Sequence, residues 1–286
     1  AYELAIEYAN KYNADVVCCT DPDCDRIGIV IFDNNRNPIY MTGNQTGSIL
    51  INYLLSTRKE QGILPDNGIM YNTIVSSPLG AKVASLYGVE TEQTLTGFKY
   101  IGEQIRNFEN DNSYEYVFGF EESYGCLVGT HARDKDAVTA VMMLCEAAAY
   151  YKKQNMTLCD QMIKIFEKYG YYKEDITTIT LKGADGAEKM KELLESIRNN
   201  PPTELGGYKV TKVRDYQTGK IVDTATGKES ETGLPKSNVL YYDLEDNCWC
   251  CVRPSGTEPK IKAYITACGD TRKVSEEKAE MLGKNI

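Results

Sequence analysis

The chain carries its clearest signal at residues 18–28, which read Cys-Cys-Thr-Asp-Pro-Asp-Cys-Asp-Arg-Ile-Gly. Apolar runs precede and follow this stretch, so we predict a strand, a tight acidic loop and a second strand. Because alternate residues of an extended segment point the same way, Asp21, Asp23 and Asp25 are expected to converge. Carboxylates that meet repel one another unless a cation neutralises them. Oxygen ligands favour a hard cation such as Mg²⁺, so these three residues are the predicted metal ligands.

The acidic loop has three other interpretations. A calcium-binding EF-hand loop requires glycine at its sixth position and glutamate at its twelfth, where this chain has Arg26 and Phe32, so it is excluded. A phosphatase of the haloacid dehalogenase type also places Asp-x-Asp after a strand, with the first aspartate as nucleophile. That alternative stays open, with Asp21 in the nucleophilic position. A solvated acidic turn does not explain an arginine directly after three alternating aspartates between two apolar strands.

A second motif at residues 251–260 reads Cys-Val-Arg-Pro-Ser-Gly-Thr-Glu-Pro-Lys, between two apolar strands. The groups that are predicted to bind a phosphate there are Arg253, Ser255, Gly256, Thr257 and Lys260. The guanidinium matches phosphate oxygens two at a time, the hydroxyls donate hydrogen bonds, and the lysine adds a point charge. The glycine lets backbone N–H groups approach an anion closely. The motif therefore predicts a phosphate-binding loop.

Together the two motifs resemble those of the α-D-phosphohexomutase family, the phosphoglucomutases and phosphomannomutases. In that family an Asp-Gly/Pro-Asp-x-Asp-Arg loop binds Mg²⁺, and an Arg-Pro-Ser-Gly-Thr-Glu-Pro loop holds the substrate phosphate. A third family element lies between them in the expected order, at residues 119–125, Gly-Phe-Glu-Glu-Ser-Tyr-Gly. The resemblance implies that Glu121 and Ser123 contact hydroxyls of the sugar ring. It also implies a catalytic role for Arg26, which would stabilise the transferred phosphate.

One family motif does not occur in this sequence. The family's phosphoryl carrier is a serine in a Ser-His-Asn-Pro-like loop of an N-terminal domain, whereas this chain has one histidine, His131, and no Ser-His-Asn. We therefore expect a fragment that lacks the catalytic-serine domain and enters the second domain partway. Residues 76–78, Ser-Ser-Pro, follow a predicted strand. They are interpreted as the N-cap of the next helix rather than as a substitute carrier.

The periodicity of apolar residues and the resemblance together predict the fold class. It is α/β, with part of the family's second domain and all of its third, followed by an α+β C-terminal domain. The predicted domains are residues 1–62 with the metal loop, 63–170 with the sugar loop and 171–286 with the phosphate loop. The polar stretch 217–236, rich in glycine, threonine and lysine, is predicted to be an extended loop.

Composition narrows the classes of partner. The net charge of −9 argues against a nucleic-acid surface. No apolar run has the length that crosses a bilayer, so no membrane partner is expected. Ten irregularly spaced cysteines favour reduced thiols in a cytoplasmic protein. A zinc site at Cys248 and Cys251 is not favoured, because residues three apart on a strand point to opposite faces. The oligomeric state is not predictable from the sequence.

The resemblance implies an isomerase that interconverts hexose 1-phosphate and hexose 6-phosphate, with glucose or mannose or both as the sugar. Hexose phosphate is then the partner, Mg²⁺ the cofactor, and glucose 1,6-bisphosphate the intermediate or activator. Without the phosphoserine of the missing domain, we expect this chain alone to bind Mg²⁺ weakly and to be inactive. It would then be a sugar-phosphate-binding module without turnover. The phosphatase alternative predicts phosphate release that the Asp21→Asn variant loses.

Overall fold

The computed structural model describes residues 2–180, 186–255 and 260–284. It divides into two compact units, Ala1–Tyr169 and Gly170–Ile286. The acidic loop and the predicted sugar loop at residues 119–125 belong to the first unit. The predicted phosphate loop at residues 251–260 belongs to the second. The three predicted domains, with a boundary at residue 62, stay a prediction. In the described ranges, no helix has both the length and the apolar composition needed to cross a bilayer.

The first unit combines helices with two small sheets. Its helices are α1 (Glu3–Tyr12), α2 (Gly43–Glu60), α3 (Leu79–Leu86), α4 (Phe98–Asp111), α5 (Ala137–Lys152) and α6 (Leu158–Tyr169). Its strands are β1 (Val16–Thr20), β2 (Ile27–Phe32), β3 (Pro38–Tyr40), β4 (Gly68–Thr73), β5 (Glu90–Thr94), β6 (Glu115–Phe120) and β7 (Cys126–Val128). Helices and strands alternate along most of this unit, as the α/β prediction requires.

The second unit is built on one antiparallel sheet. Its strands are β8 (Tyr171–Thr180), β9 (Glu204–Leu205), β10 (Tyr208–Asp215), β11 (Lys220–Asp223), β12 (Glu229–Glu231), β13 (Leu240–Leu244), β14 (Trp249–Pro254) and β15 (Lys260–Gly269). Its helices are α7 (Gly186–Asn199) and α8 (Arg272–Lys284), and a 3₁₀ turn spans Glu245–Asn247. The strand order is β12-β11-β10-β13-β14-β15-β8, with β9 beside β10. This is the predicted α+β domain.

A hairpin of β1 and β2 presents the acidic loop. The two strands pair antiparallel, and their last pair is Thr20 with Ile27. Helix α1 packs on this hairpin, where Ala9 meets Val17 and Val30 in a buried apolar cluster. Five of the six residues of β2 are buried, so both faces of this strand are covered. The hairpin therefore holds both ends of the loop.

The other sheet of the first unit has the order β5-β4-β6-β7. Strand β4 runs parallel to β5 and β6, and its residues are all buried, as is typical of a strand covered on both faces. Helix α4 places Phe98, Ile101 and Ile105 at helical spacing against Ile69 and Tyr71 of the sheet. Strand β7 is antiparallel to β6. The turn between β6 and β7 carries the predicted sugar loop.

The helix start at residues 76–78 differs in detail from the prediction. The N-cap of α3 is Pro78, which has no side chain that can cap the helix. The Ser77 hydroxyl accepts from the Leu79 N–H at 3.4 Å, and the Ser76 hydroxyl is 3.0 Å from that of Thr73. Both serines are buried. Because their hydroxyls are used inside the fold, they do not form a phosphoryl-carrier site.

The prediction of an extended loop over residues 217–236 is wrong. Strand β11 pairs with β10 in the register Lys212 to Asp223, and β12 pairs with β11. Lys220 and Glu229 add an ion pair of 2.7 Å between β11 and β12. This hairpin extends the sheet at its edge, and the residues of β12 are all exposed. The apolar alternation that identifies a half-buried strand is therefore missing from its sequence.

A buried leucine packs helix α7 against the sheet of the second unit. Leu194 is 1% exposed, and it joins a cluster with Tyr242, Cys250 and Ile265. The latter three are cross-strand partners on β13, β14 and β15, so they lie on one face of the sheet. The core of this unit therefore lies between that face and its helices.

We predict that Leu194→Ala lowers the free energy of unfolding by about 2–5 kcal/mol, because it removes buried contacts and leaves a cavity. Urea unfolding followed by circular dichroism measures the change. Leu193 is the matched control, because it is adjacent in the helix and 38% exposed. Equal losses for Leu194→Ala and Leu193→Ala would contradict this packing.

Candidate functional site

The acidic loop is closed by its first aspartate. The backbone N–H groups of Asp25 and Arg26 donate to Asp21 Oδ1 at 3.2 and 3.1 Å. Cys24 adopts a left-handed conformation with φ of 56°, and its N–H donates to the Asp21 carbonyl at 3.1 Å. Desolvation acts to raise the pKa of Asp21, but the hydrogen bonds from Arg26 and Asp25 lower it by more, so it lies below its usual range. The carboxylate is therefore held in the charged form.

The structure brings the three aspartates together. One carboxylate oxygen each of Asp21, Asp23 and Asp25 lies within 4.8 Å of the other two. Asp25 Oδ1 is buried and accepts no hydrogen bond among the described residues. Arg26 Nε lies 3.5 Å from this oxygen. A buried carboxylate oxygen without a donor, beside two further carboxylates, fits the ligand set that Mg²⁺ prefers.

Lys135 reaches the acidic loop from the segment before α5, and the sequence did not predict its place. Its ammonium lies 2.9 Å from Asp25 Oδ2 and 3.0 Å from Asp134 Oδ1, and its side chain is only 12% exposed. Burial acts to lower the pKa of Lys135, but the bonds to Asp25 and Asp134 outweigh it and raise the pKa. The signal that could have indicated this residue is the segment 133–138, Arg-Asp-Lys-Asp-Ala-Val, which places a lysine between two aspartates at the start of the helix.

Helix α5 begins against the same loop. The Ala137 N–H at its first turn donates to the Cys24 carbonyl at 2.9 Å. Asp136 caps the helix by accepting from the Val138 N–H, and its other oxygen contacts His131 Nε2 at 2.8 Å. His131 therefore supports the helix start through Asp136. The helix, in turn, fixes the backbone of the acidic loop.

The predicted sugar loop contacts the acidic loop through its backbone. Arg26 and Gly125 form an isolated antiparallel bridge. The Ile27 N–H donates to the Tyr124 carbonyl at 3.0 Å, and Tyr124 has a φ of +73°. The turn itself is closed by the Glu121 N–H, which donates to the Gly125 carbonyl at 2.8 Å. Residues that lie about a hundred positions apart in the sequence are thus side by side.

Glu121 is buried within this turn, whereas Ser123 is half-buried at its tip. Glu121 is 6% exposed, and its Oε1 accepts from the Gly97 N–H at 2.9 Å. Burial raises the pKa of Glu121, while the hydrogen bond from Gly97 and the charges of Lys135 and Arg26 oppose that effect. The carboxylate therefore lies close enough to both cations of the acidic loop to interact with their charges.

The phosphate loop joins two central strands of the second unit. The Arg253 Nη2 donates to the Tyr264 hydroxyl at 2.9 Å, and the Ser255 N–H donates to the Lys260 carbonyl at 2.7 Å. These contacts hold the two ends of the loop. The predicted binding residues Gly256 and Thr257 lie outside the described residues. The roles of all five residues therefore stay predictions.

Two domain descriptions of one family match this chain. Residues 42–169 match the phosphoglucomutase/phosphomannomutase alpha/beta/alpha domain III, and residues 205–284 match the C-terminal domain of the same enzymes. Together they span most of the chain. The chain belongs to the α-D-phosphohexomutase family.

A curated relative agrees with this assignment. The phosphoglucomutase of Staphylococcus aureus strain MRSA252 is 38% identical over 283 residues, which is 99% of this chain and 50% of that protein. The chain spans about half the length of the curated relatives that it matches. The resemblance drawn from the three motifs is thus confirmed at the level of the family.

Solved structures share the fold. The pp63/parafusin phosphoglucomutase of Paramecium has a TM-score of 0.64 at 20% identity, over 94% of this chain and 43% of that one. N-acetylphosphoglucosamine mutase of Aspergillus fumigatus in complex with GlcNAc-6P and magnesium has a TM-score of 0.53 at 12% identity, over 98% and 52%. Another structure of that enzyme, with glucose 1,6-bisphosphate, has a TM-score of 0.51 at 11% identity, over 98% and 51%. These likenesses confirm the predicted fold class.

We predict that Glu121→Gln raises the melting temperature at about pH 7.5, and that its advantage over wild type narrows towards about pH 4.5. A raised pKa means that the folded chain binds the proton more tightly than the unfolded chain. Ionisation of Glu121 therefore disfavours folding at neutral pH, and this cost disappears as the pH falls through the folded pKa. Thermal unfolding across the pH range measures it. The exposed Glu115→Gln is the control, and an advantage that stays constant with pH would contradict the burial argument.

Proposed function

We propose that the protein to which this chain belongs is a phosphohexomutase, which interconverts hexose 1-phosphate and hexose 6-phosphate with glucose or mannose or both as the sugar. The observation that carries the proposal is the direct contact of the acidic loop with the sugar loop in one unit. Phosphoryl transfer to a sugar hydroxyl requires charge neutralisation beside a sugar-binding surface. Family membership gives the reaction its class.

Three aspartates are the proposed ligands of Mg²⁺, namely Asp21, Asp23 and Asp25. Bound there, the ion would supply neutralisation of the phosphate oxygens during transfer. Arg26 is the proposed catalytic residue, because its guanidinium adjoins the aspartates and its side chain is 55% exposed, so it can reach a phosphate. In support, the N-acetylphosphoglucosamine mutase of Aspergillus fumigatus, which shares the fold, was solved in complex with magnesium.

The sugar and its distant phosphate have separate proposed sites. Glu121 and Ser123 would contact ring hydroxyls, and the second unit would hold the phosphate that is not reacting. Its proposed binding residues are Arg253, Ser255, Gly256, Thr257 and Lys260. We propose glucose 1,6-bisphosphate as the intermediate or activator, because a sugar that exchanges its two phosphates between one transfer site and one holding site must pass through a bisphosphate.

The isolated chain is proposed to bind sugar phosphates without turnover. The Ser-His-Asn-Pro-like motif that carries the phosphoryl group in the family does not occur in this sequence. Two backbone hydrogen bonds to Asp21 Oδ1 hold this carboxylate in a fixed position, as a metal ligand requires. We propose a cytoplasmic location, which the ten irregularly spaced cysteines support. The acidic net charge of −9 is the reason for expecting no nucleic-acid partner.

We predict that the isolated chain binds glucose 1,6-bisphosphate in a calorimetric titration, and that Arg253→Ala weakens this binding at least about tenfold. The loss of charge-assisted hydrogen bonds to phosphate is the reason. Arg272→Ala is the control, because that arginine is in the same unit, 77% exposed and paired with Glu276. Absence of binding, or an equal loss in both variants, would contradict a phosphate site at Arg253.

We predict that Asp25→Asn in the whole protein lowers kcat/KM for conversion of glucose 1-phosphate to glucose 6-phosphate at least about 100-fold. A dehydrogenase that consumes glucose 6-phosphate reports the product. Asp15→Asn is the control, because its carboxylate is half-exposed and pairs with Lys152 at 2.7 Å. No activity in the unmodified protein, with glucose or mannose phosphates, would contradict the proposed reaction.

A further inference from the structure

Lys135 lies outside the acidic loop but forms an ion pair with it. The Lys135 ammonium lies 2.9 Å from Asp25 Oδ2, and its side chain is 12% exposed. Its second partner, Asp134, has a side chain that is 70% exposed. A long flexible side chain loses rotamer freedom when it is buried, so the contact with Asp25 must offset that cost. Lys135 is thus part of the loop's electrostatic structure.

Gly125 of the sugar loop provides the space that the Lys135 side chain occupies. A Cβ at Gly125 would lie 2.0 Å from Lys135 Cδ and 2.7 Å from its Cγ. The backbone at Gly125 does not have a positive φ, so its conformation does not call for glycine. The absence of a side chain there serves the lysine stem. The centroid of the Phe98 ring lies 5.8 Å from Lys135 Nζ.

The two carboxylate oxygens of Asp25 face different cations. Lys135 binds Oδ2, and Arg26 Nε is 3.5 Å from Oδ1. Oxygens of Asp21 and Asp23 lie within 4.8 Å of an oxygen of Asp25. Carboxylates this close raise one another's energy unless positive charge balances them. In the metal-free chain that balance comes from the lysine and the arginine.

We propose that Lys135 is a positioning residue which acts as the internal counter-ion of the acidic loop. It holds Asp25 in the ligand position while the metal is absent, and it competes with a divalent cation for that carboxylate. The inference rests on the proposed function, because it takes the three aspartates as the metal site. Ion pair and metal are then linked, so the ion pair weakens metal binding by the same factor by which the metal weakens the ion pair.

The test is a titration of the chain with Mn²⁺, with free Mn²⁺ followed by electron paramagnetic resonance. Lys135→Met should bind Mn²⁺ about tenfold more tightly, because a unit positive charge a few ångströms from the site is removed. Lys135→Arg, which keeps the charge, should restore the wild-type affinity to within about threefold. Lys152→Met is the matched control, because it removes the same charge at the far end of α5, where Lys152 pairs with Asp15.

A second variant keeps every charge. Gly125→Ala should displace the lysine stem and strengthen Mn²⁺ binding in the same direction, because the ammonium can no longer reach Asp25. Without metal, both Lys135→Met and Gly125→Ala should melt at a lower temperature than wild type. Saturating Mn²⁺ should narrow that difference, since the ion takes over the role of the counter-ion. A merely structural role would leave the difference unchanged.

Failure of the competition and failure of the metal site give different results. Mn²⁺ affinity that is unchanged or weaker in folded Lys135→Met, with binding in wild type, would overturn the competition alone. An equal gain in Lys152→Met would also overturn it, because the effect would then be one of net charge. No Mn²⁺ binding by any variant would overturn the metal site in the proposed function, and the competition with it.

Discussion

The site of the first unit depends on the backbone contact between the acidic loop and the sugar loop. Arg26 bridges Gly125, and the Ile27 N–H donates to the Tyr124 carbonyl at 3.0 Å. These bonds place the carboxylates beside the residues predicted to read the sugar, although neither loop is part of the other's sheet. Helix α5 fixes the arrangement from a third side through the Ala137 N–H. Three segments distant in sequence thus form one surface.

Much of this arrangement was predictable because the signals are local. Asp21, Asp23 and Asp25 alternate between two apolar runs, which is enough to predict a hairpin with converging carboxylates, and their oxygens do converge. The order of three motifs identified the family, and with it the presence of a sugar loop between the metal and phosphate loops. The contact between Tyr124 and Ile27 was not predictable, because local sequence patterns do not indicate which loops lie side by side in the fold.

The residues that the sequence did not reveal depend on tertiary packing. Lys135 acts on the acidic loop only because Gly125, ten positions earlier, leaves room for its stem. Neither residue is informative without the other. Strands β11 and β12 were not predicted for a related reason. Backbone pairing at the sheet edge stabilises them, and neither strand alternates between buried apolar and exposed polar residues. Where contacts between distant segments stabilise an element, the local pattern of a single sequence does not predict it.

Paramagnetic broadening of backbone amide signals, when Mn²⁺ is added to the isotopically labelled chain, reports whether the acidic loop and the sugar loop form one site. We predict that the amide signals of Tyr124 and Gly125 broaden together with those of Cys24 and Asp25, because the two loops share one surface. Broadening confined to the acidic loop, with Tyr124 and Gly125 unaffected, would contradict the claim that this contact builds the site.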